Sequence, residues 1–384
     1  MIIFDIYYFS GVDYVLDLER VAKNYLQCKP ALFKHKNFVR FTDGQLDVYK
    51  RETKFEIRSL TSAGVYLSFN TTGDTITLDC KILSLTKIIK FLITEQEKGD
   101  LKNFFTSFEE VIEEMTEEKS DEGFKFSGLI FDGFDCIVNN KKIFFKRYKS
   151  GKNIFKIENP NNELVNVKIY LPIVIPIQIN NLKSNGELFY DETEKEKILC
   201  LGDSITQGLY SGNPSLNYVN RLADYFNVDA LNQGISGYFF DYETLLDFKN
   251  LNTDFKFITV AYGTNDWSKL SSINIVRENI YNYFKTLHEI FPDTPIFALT
   301  PIWRSDMSEV SDCGSFYNIA KAINETTEQY ENIHVINGLN LVPHDENYFA
   351  DLRLHPNSDG FEFMARNLKN EIEKIWVNNK QNPN

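Results

Sequence analysis

The sequence predicts an α/β domain built on a parallel sheet, preceded by an all-β domain of sandwich or jelly-roll type. Three observations lead to this fold class. The chain has 384 residues, more than one hydrophobic core usually holds and a suitable length for two. From about Leu46 to Ile179 the texture is β, with short apolar runs of period two punctuated by Gly, Asn and Asp. After Lys197 the rhythm changes to apolar strands that alternate with amphipathic helices, as in a parallel sheet covered on both faces.

In the first part the strand candidates are LDVYK, FEIRSL, GVYLSFN and TITLDCKI, then LIFDGFDCIV, KIFFKRY, NIFKIE, VNVKIYL and IVIPIQI. Asn139-Asn140 between two of them marks a hairpin turn. Many short strands at near-regular spacing suit a sandwich or jelly roll. Residues from about 86 to 118, including FFTSFEEVIEEMTEE, have helical periodicity with an acidic face and read as an inserted helical excursion. The polar stretch NLKSNGELFYDETEKEK is the best boundary. The expected division is an N-terminal domain at 1–185, a linker at 186–197 and a second domain at 198–384.

In the second part ILCLGDS, DALNQG, FKFITVAYG, PIFALTP and HVING read as strands. SLNYVNRLADYF and the stretches 274–290, 316–330 and 360–377 read as helices. Ligands of such sheets bind at the carboxyl ends of the strands, so reactive residues are expected just after them.

Composition narrows the function. The 54 acidic residues outnumber 41 basic ones, and a net charge of -13 repels phosphate backbones and anionic lipid, which argues against a nucleic-acid partner. No run reaches the roughly 18 apolar residues of a membrane span. The start, MIIFDIYYFSGVDYVLDLER, carries Asp5 within its apolar run and lacks a basic leader region, so the expected location is the cytoplasm. Cys28, Cys80, Cys136, Cys200 and Cys313 lie far apart and in odd number, with neither disulfide-framework nor metal-type spacing. Free thiols in a reducing compartment are the expectation.

Four segments carry candidate chemistry. In LGDSITQG, Ser204 follows a strand and opens a helix, where a hydroxyl is exposed at the sheet edge; taken alone it reads as a helix-capping serine. In NQGISG, Gly234 offers a bare backbone N–H, or else an ordinary turn. In VAYGTND, Asn265 offers a side-chain amide at the same edge, or else a turn-forming asparagine. In DLRLHPNSDG, His355 sits in a loop before Pro356, with Asp351 near enough in sequence to orient an imidazole; His35, His288, His334 and His344 have no such setting. Together, and in this order, the four supply a nucleophile, a base and oxyanion donors for acyl transfer.

These blocks resemble the SGNH hydrolase superfamily, the GDSL-type esterases, with Ser204, Gly234, Asn265 and His355 on its four named positions over about residues 197–378. The resemblance implies a flavodoxin-like three-layer domain with a five-stranded parallel sheet. It also implies an oxyanion hole from the Ser204 N–H, the Gly234 N–H and the Asn265 side chain, with no metal or organic cofactor. Ile205 replaces the leucine of the eponymous motif, a conservative change. The usual aspartate position, three before the histidine, holds Leu352; Asp351 lies one residue earlier and is the favoured third member, with a Ser–His dyad as the alternative. Asp203, beside the serine, is expected to be structural.

A β domain ahead of an acidic linker, with stretches such as FVRFTDGQLDVY, is similar to a bacterial two-domain subgroup whose members act on acetylated carbohydrates. The expected activity is therefore a serine esterase acting on short acyl (acetyl) groups of a carbohydrate. Its rivals are acyl transfer to sugars and a carbohydrate-binding protein with a vestigial site. Trp267 and Trp303 follow strands and are candidates to stack on a sugar ring, or else to cap the core. Arg304 is a candidate contact for an anionic substituent, with a surface salt bridge as the alternative. Glycan binding, cleft building and assembly of a homo-oligomer all stay open as roles of the N-terminal domain.

Overall fold

The computed structural model describes residues 14–30, 36–82 and 132–381; the helical excursion expected at about 86–118 lies outside them. Among the described residues the N-terminal part is β-rich and forms two six-stranded antiparallel sheets. One centres on Ile177–Ser184 paired with Thr75–Ile82, the other on Val165–Tyr170 between Tyr66–Thr71 and Gly133–Val138. Period-two patterning explains which side of each strand is covered: in Val165–Tyr170, Val165, Val167 and Ile169 are buried. Asn139 and Asn140 turn Gly133–Val138 back onto Lys141–Arg147, both at positive φ (49° and 63°), as the tight hairpin requires. The expected linker contributes a strand of its own, Leu188–Tyr190, paired with Tyr66–Thr71, because Leu, Phe and Tyr in succession suit an extended edge.

Two expected strands are helices. LDVYK falls in the helix Asp43–Tyr49 and most of FEIRSL in the helix Thr53–Ser59. The reason is local and tertiary at once. Thr42 caps the Gln45 N–H while the Gln45 side chain accepts from the Thr42 N–H, a reciprocal box that starts a helix. Leu46, Tyr49 and Phe55 then bury with residues of the C-terminal part.

That C-terminal part carries a five-stranded parallel sheet in the order Asp229–Gly234, Lys197–Gly202, Phe255–Ala261, Ile296–Leu299, Ile333–Ile336. Alternate residues of its strands feed two apolar clusters. Ile198 and Cys200 face the helices Tyr218–Phe226 and Ser358–Gln381. Leu199 and Leu201 face the helices Ile273–Ile290 and Tyr317–Thr327. Helices thus cover both faces. The four cysteines of the described core, Cys80, Cys136, Cys200 and Cys313, are buried free thiols. No helix among the described residues is long and apolar enough to cross a membrane.

A buried guanidinium joins the two parts. Arg40 has no exposed surface; it donates to the Thr61 carbonyl and hydroxyl (both 3.0 Å), to the Asn232 carbonyl (2.6 Å) and to the Gly234 carbonyl (3.2 Å). Burial lowers its pKa to about 9. Gln45 adds a bond from its Nε2 to Gln233 Oε1 at 2.9 Å. The carboxyl end of the strand Asp229–Gly234 is therefore held by residues some 190 positions earlier in the chain.

Candidate active site

The strand Lys197–Gly202 ends in a turn that only glycine allows, since a Cβ on Gly202 would lie 2.0 Å from Thr206 Oγ1. Asp203 caps the short helix Ser204–Gln207 by accepting from the Ile205 N–H at 3.0 Å. Ser204 is its first residue, only 3% exposed, and its Oγ lies 2.9 Å from His355 Nε2. On the other side of the ring, Nδ1 is 2.7 Å from Asp351 Oδ2.

The extra residue before His355 is absorbed by the backbone. Leu352 takes φ 56°, the left-handed region, and its side chain points out, 50% exposed. Asp351 Oδ1 accepts from the backbone N–H groups of Arg353 (3.0 Å), Leu354 (2.8 Å) and His355 (3.0 Å), so the carboxylate is fixed by the loop it folds. Partial burial opposes its ionisation, but the His355 side chain and the Leu354 and His355 N–H groups outweigh it and hold the carboxyl well below the usual range. The Tyr210 ring lies over His355, centroids 5.1 Å apart, from a residue itself at φ 66°.

The donors around Ser204 differ from the expectation at one position. Gly234 is not available: its N–H donates to Asn232 Oδ1 at 2.9 Å. Its glycine identity serves packing, because a Cβ there would sit 2.1 Å from the Gln207 backbone nitrogen. Three residues on, Gly237 has φ 79°, is half-buried, and its N–H has no acceptor among the described residues. The same is true of the Ser204 N–H. Asn265 Nδ2 is buried and lies 3.0 Å from the Tyr238 carbonyl and 3.3 Å from Asp203 Oδ2, the second contact being the longer. The two glycines of NQGISG were both visible in sequence, but which N–H is spent on Asn232 was not.

Residues 200–363 match the model of the GDSL-like Lipase/Acylhydrolase family. The C-terminal part belongs to that family. The chain is thus a carboxylic ester hydrolase. Among solved structures, similar folds include a salicylyl-acyltransferase from a tetracycline biosynthetic pathway (TM-score 0.68, 13% identity, 93% of this chain and 94% of that one). A protein described as a GDSL-like lipase from Bacteroides ovatus gives TM-score 0.66 at 18% identity, over 94% and 97%. An acetyl xylan esterase from the rumen bacterium Butyrivibrio proteoclasticus gives 0.55 at 13%, over 96% and 99%. Among curated proteins none matches the chain in sequence.

In this hydrolase two expected substrate contacts are core residues. Trp267 is 3% exposed, donates its indole N–H to the Gly314 carbonyl at 2.8 Å and packs edge-on against Phe316. Arg304 is 2% exposed, lies over the Trp267 ring and pairs with Asp306 through Nε (2.5 Å) and Nη2 (2.8 Å). Neither faces a substrate: the apolar cluster buries the indole and the internal ion pair occupies the guanidinium. Trp303 is half-buried, stacked on His344 and packed against Phe349. Asp203 caps the Ser204 helix, and burial pushes it up to about 6. Burial likewise pushes Asp266 up to about 7, and its Oδ2 has no hydrogen-bond partner among the described residues. No group of three or more His, Cys, Asp or Glu among the described residues is placed to hold a metal ion. An open groove of about 560 Å³ lined by His288, Tyr330, Asn332 and His334 lies at the amino ends of two strands, away from Ser204.

Two outcomes follow. Gly234→Ala forces a Cβ into the Ser204 helix and destabilises the fold by about 1–3 kcal/mol, read as a lower midpoint in chemical denaturation. Asp351 has a folded-state pKa below its unfolded value, so its contribution to stability is full above that ordinary value, near 4, and is lost progressively as pH falls from there through the lower folded-state value. Wild type minus Asp351→Asn stability, measured against pH, should therefore decline on acidification below about 4.

Proposed function

We propose that this hydrolase cleaves short-chain carboxylic esters, acetyl groups on a carbohydrate, through an acyl-enzyme on Ser204. The observation that carries the reading is the continuous hydrogen-bonded line from Ser204 Oγ to His355 Nε2 (2.9 Å) and from His355 Nδ1 to Asp351 Oδ2 (2.7 Å). In the first step His355 removes the Ser204 proton as Oγ attacks the ester carbonyl. Asp351 holds the ring with Nε2 toward the serine and stabilises the imidazolium. The N–H groups of Ser204 and Gly237, with the Asn265 amide, receive the oxyanion, each donor contributing about 3 kcal/mol to lowering the barrier. The C–O bond breaks, the alcohol leaves with the proton from His355, and a water activated by the same base releases the acid.

Short acyl chains suit a centre in which Ser204 is almost covered and Tyr210 lies over the base. The carbohydrate reading draws on a fold shared over nearly the whole chain with an acetyl xylan esterase. Transfer of the acyl group to a second hydroxyl is the alternative, favoured by an equally extensive likeness to an acyltransferase. The same acyl-enzyme serves both. We also infer that the two N-terminal sheets pack face to face as a sandwich, because Ile76, Leu78 and Phe155 of one share an apolar cluster with Leu67, Phe69 and Val167 of the other.

Ser204→Ala should lower hydrolysis of p-nitrophenyl acetate by at least roughly a thousandfold while the protein stays folded. Undiminished turnover by that variant rules the nucleophile out. Rates on p-nitrophenyl esters should fall from acetate to octanoate, and product analysis with an added sugar acceptor separates hydrolysis from transfer. Asp351→Asn should lower kcat by roughly a hundredfold or more; near-normal kcat would leave a Ser–His dyad.

A further inference from the structure

The loop Ile235–Tyr238, which presents the Gly237 N–H, is gripped from three sides. From the Ser204 helix, Gln207 Oε1 accepts from the Ser236 N–H at 2.7 Å. From the N-terminal part, Arg58 at the end of the helix Thr53–Ser59 donates Nη1 to the Ser236 carbonyl at 2.8 Å. From the helix Thr264–Lys269, the Lys269 ammonium donates to the Gly237 carbonyl at 3.1 Å. The two cations close so tightly over Gly237 that a Cβ there would meet Arg58 Nη1 at 2.9 Å and Lys269 Nζ at 3.0 Å.

The two straps are not equivalent. The Ser236 carbonyl and the Gly237 N–H belong to one planar amide, so a charged donor on that oxygen draws electron density through the conjugated unit. The N–H at its other end becomes a stronger donor, and its plane is held in one orientation. Lys269 grips the next amide, whose N–H is that of Tyr238 and is already committed to the Ile235 carbonyl at 3.1 Å.

We propose that Arg58 is a positioning residue of the oxyanion hole, aiming and polarising the Ser236–Gly237 amide toward the charge that develops on the substrate oxygen. The assignment rests on the reading of Gly237 as an oxyanion donor. Its consequence is that the N-terminal part supplies a piece of the catalytic apparatus, rather than serving only as an appended binding module. Because a polarised donor gains most when the oxygen becomes anionic, Arg58 acts on kcat and leaves KM nearly unchanged.

The experiment measures kcat and KM on p-nitrophenyl acetate for the full-length wild type, Arg58→Gln, Arg58→Lys and Lys269→Gln. Expected for Arg58→Gln is a fall in kcat of about tenfold, a fraction of what losing a whole oxyanion donor removes, with KM within about twofold. Arg58→Lys, which keeps a cation in reach, recovers at least half of the loss on a logarithmic scale. Lys269→Gln lowers kcat by less than about threefold, since the amide it grips does not face the oxyanion. Equal losses from Arg58→Gln and Lys269→Gln would mean general loosening of the loop and overturn the proposal. So would an unchanged kcat, a change confined to KM, or no recovery with lysine. Should the glutamine variant not fold, Arg58→Lys decides: KM held with kcat about two- to threefold below wild type supports the assignment, and an unchanged kcat or a larger loss overturns it. Stoichiometric labelling of each variant by a fluorophosphonate shows that the nucleophile is assembled. A wild type that neither labels nor turns over is a different result, the failure of the active-site reading itself.

Discussion

Parallel strands joined by right-handed crossovers bring their carboxyl ends to one edge of the sheet, and the chemistry of this protein is arranged by that constraint. Gly202 and Gly234 stand in register across the first two strands, so the Ser204 turn and the Ile235–Tyr238 loop leave the sheet side by side. Phe255–Ala261 flanks Lys197–Gly202 on its other side, with Gly202 opposite Ala261, and delivers Asn265 to the edge a few residues later. His355 comes from no strand. It reaches the edge from the loop before the last helix, closed by a bond from the Ala350 N–H to the His355 carbonyl at 2.8 Å. A one-residue shift in any of these registers would scatter groups that must lie within about 3 Å of one another.

The N-terminal part holds this edge in place. Arg40 binds the carbonyls of Asn232 and Gly234 beneath the Ile235–Tyr238 loop, and Gln45 binds Gln233 beside them. From the Gly133–Val138 strand, Asp135 accepts from Asn213 Nδ2 at 2.9 Å and from the Ser215 N–H at 2.8 Å, fixing the loop that carries Tyr210 over His355. Hydrogen bonds to charged groups each contribute about 1.5–3 kcal/mol, and a buried guanidinium left without its acceptors loses more than that. The interface therefore resembles the inside of one domain more than a hinge between two, which is why the helices Asp43–Tyr49 and Thr53–Ser59 share a core with the catalytic sheet.

Backbone strain gathers at the same place. Tyr210 at φ 66° and Leu352 at φ 56° are side-chain-bearing residues in the left-handed region, which disfavours each by about 1–2 kcal/mol. Both flank His355. The left-handed turn at Leu352 lets a carboxylate four residues before the imidazole reach Nδ1, where a regular loop would present the residue three before. Such conformations persist where surrounding bonds determine them, here the three N–H groups on Asp351 Oδ1.

Much of this was legible in the sequence. Period-two and helical patterning located the strands and helices of the parallel sheet to within a few residues, and Asn139-Asn140 marked a hairpin of the N-terminal part, because these signals are local. Ser204 and Asn265 could be singled out because each follows a strand whose end is written in neighbouring residues, and His355 and Asp351 because they share one short loop before Pro356. LDVYK and FEIRSL were ambiguous because short apolar runs fit either period, and a cap at Thr42 together with burial against the far half of the chain decides for helix. Trp267 and Arg304 looked available until their partners Gly314, Phe316 and Asp306 closed over them. Gly237 rather than Gly234 presents a free N–H because Asn232, held by Arg40 from 192 positions away, takes the other. Patterning along the chain determines which elements form and in what order; which hydrogen-bonding groups are spent internally and which stay open to a substrate is settled only when distant residues meet, since each donor proton is committed once.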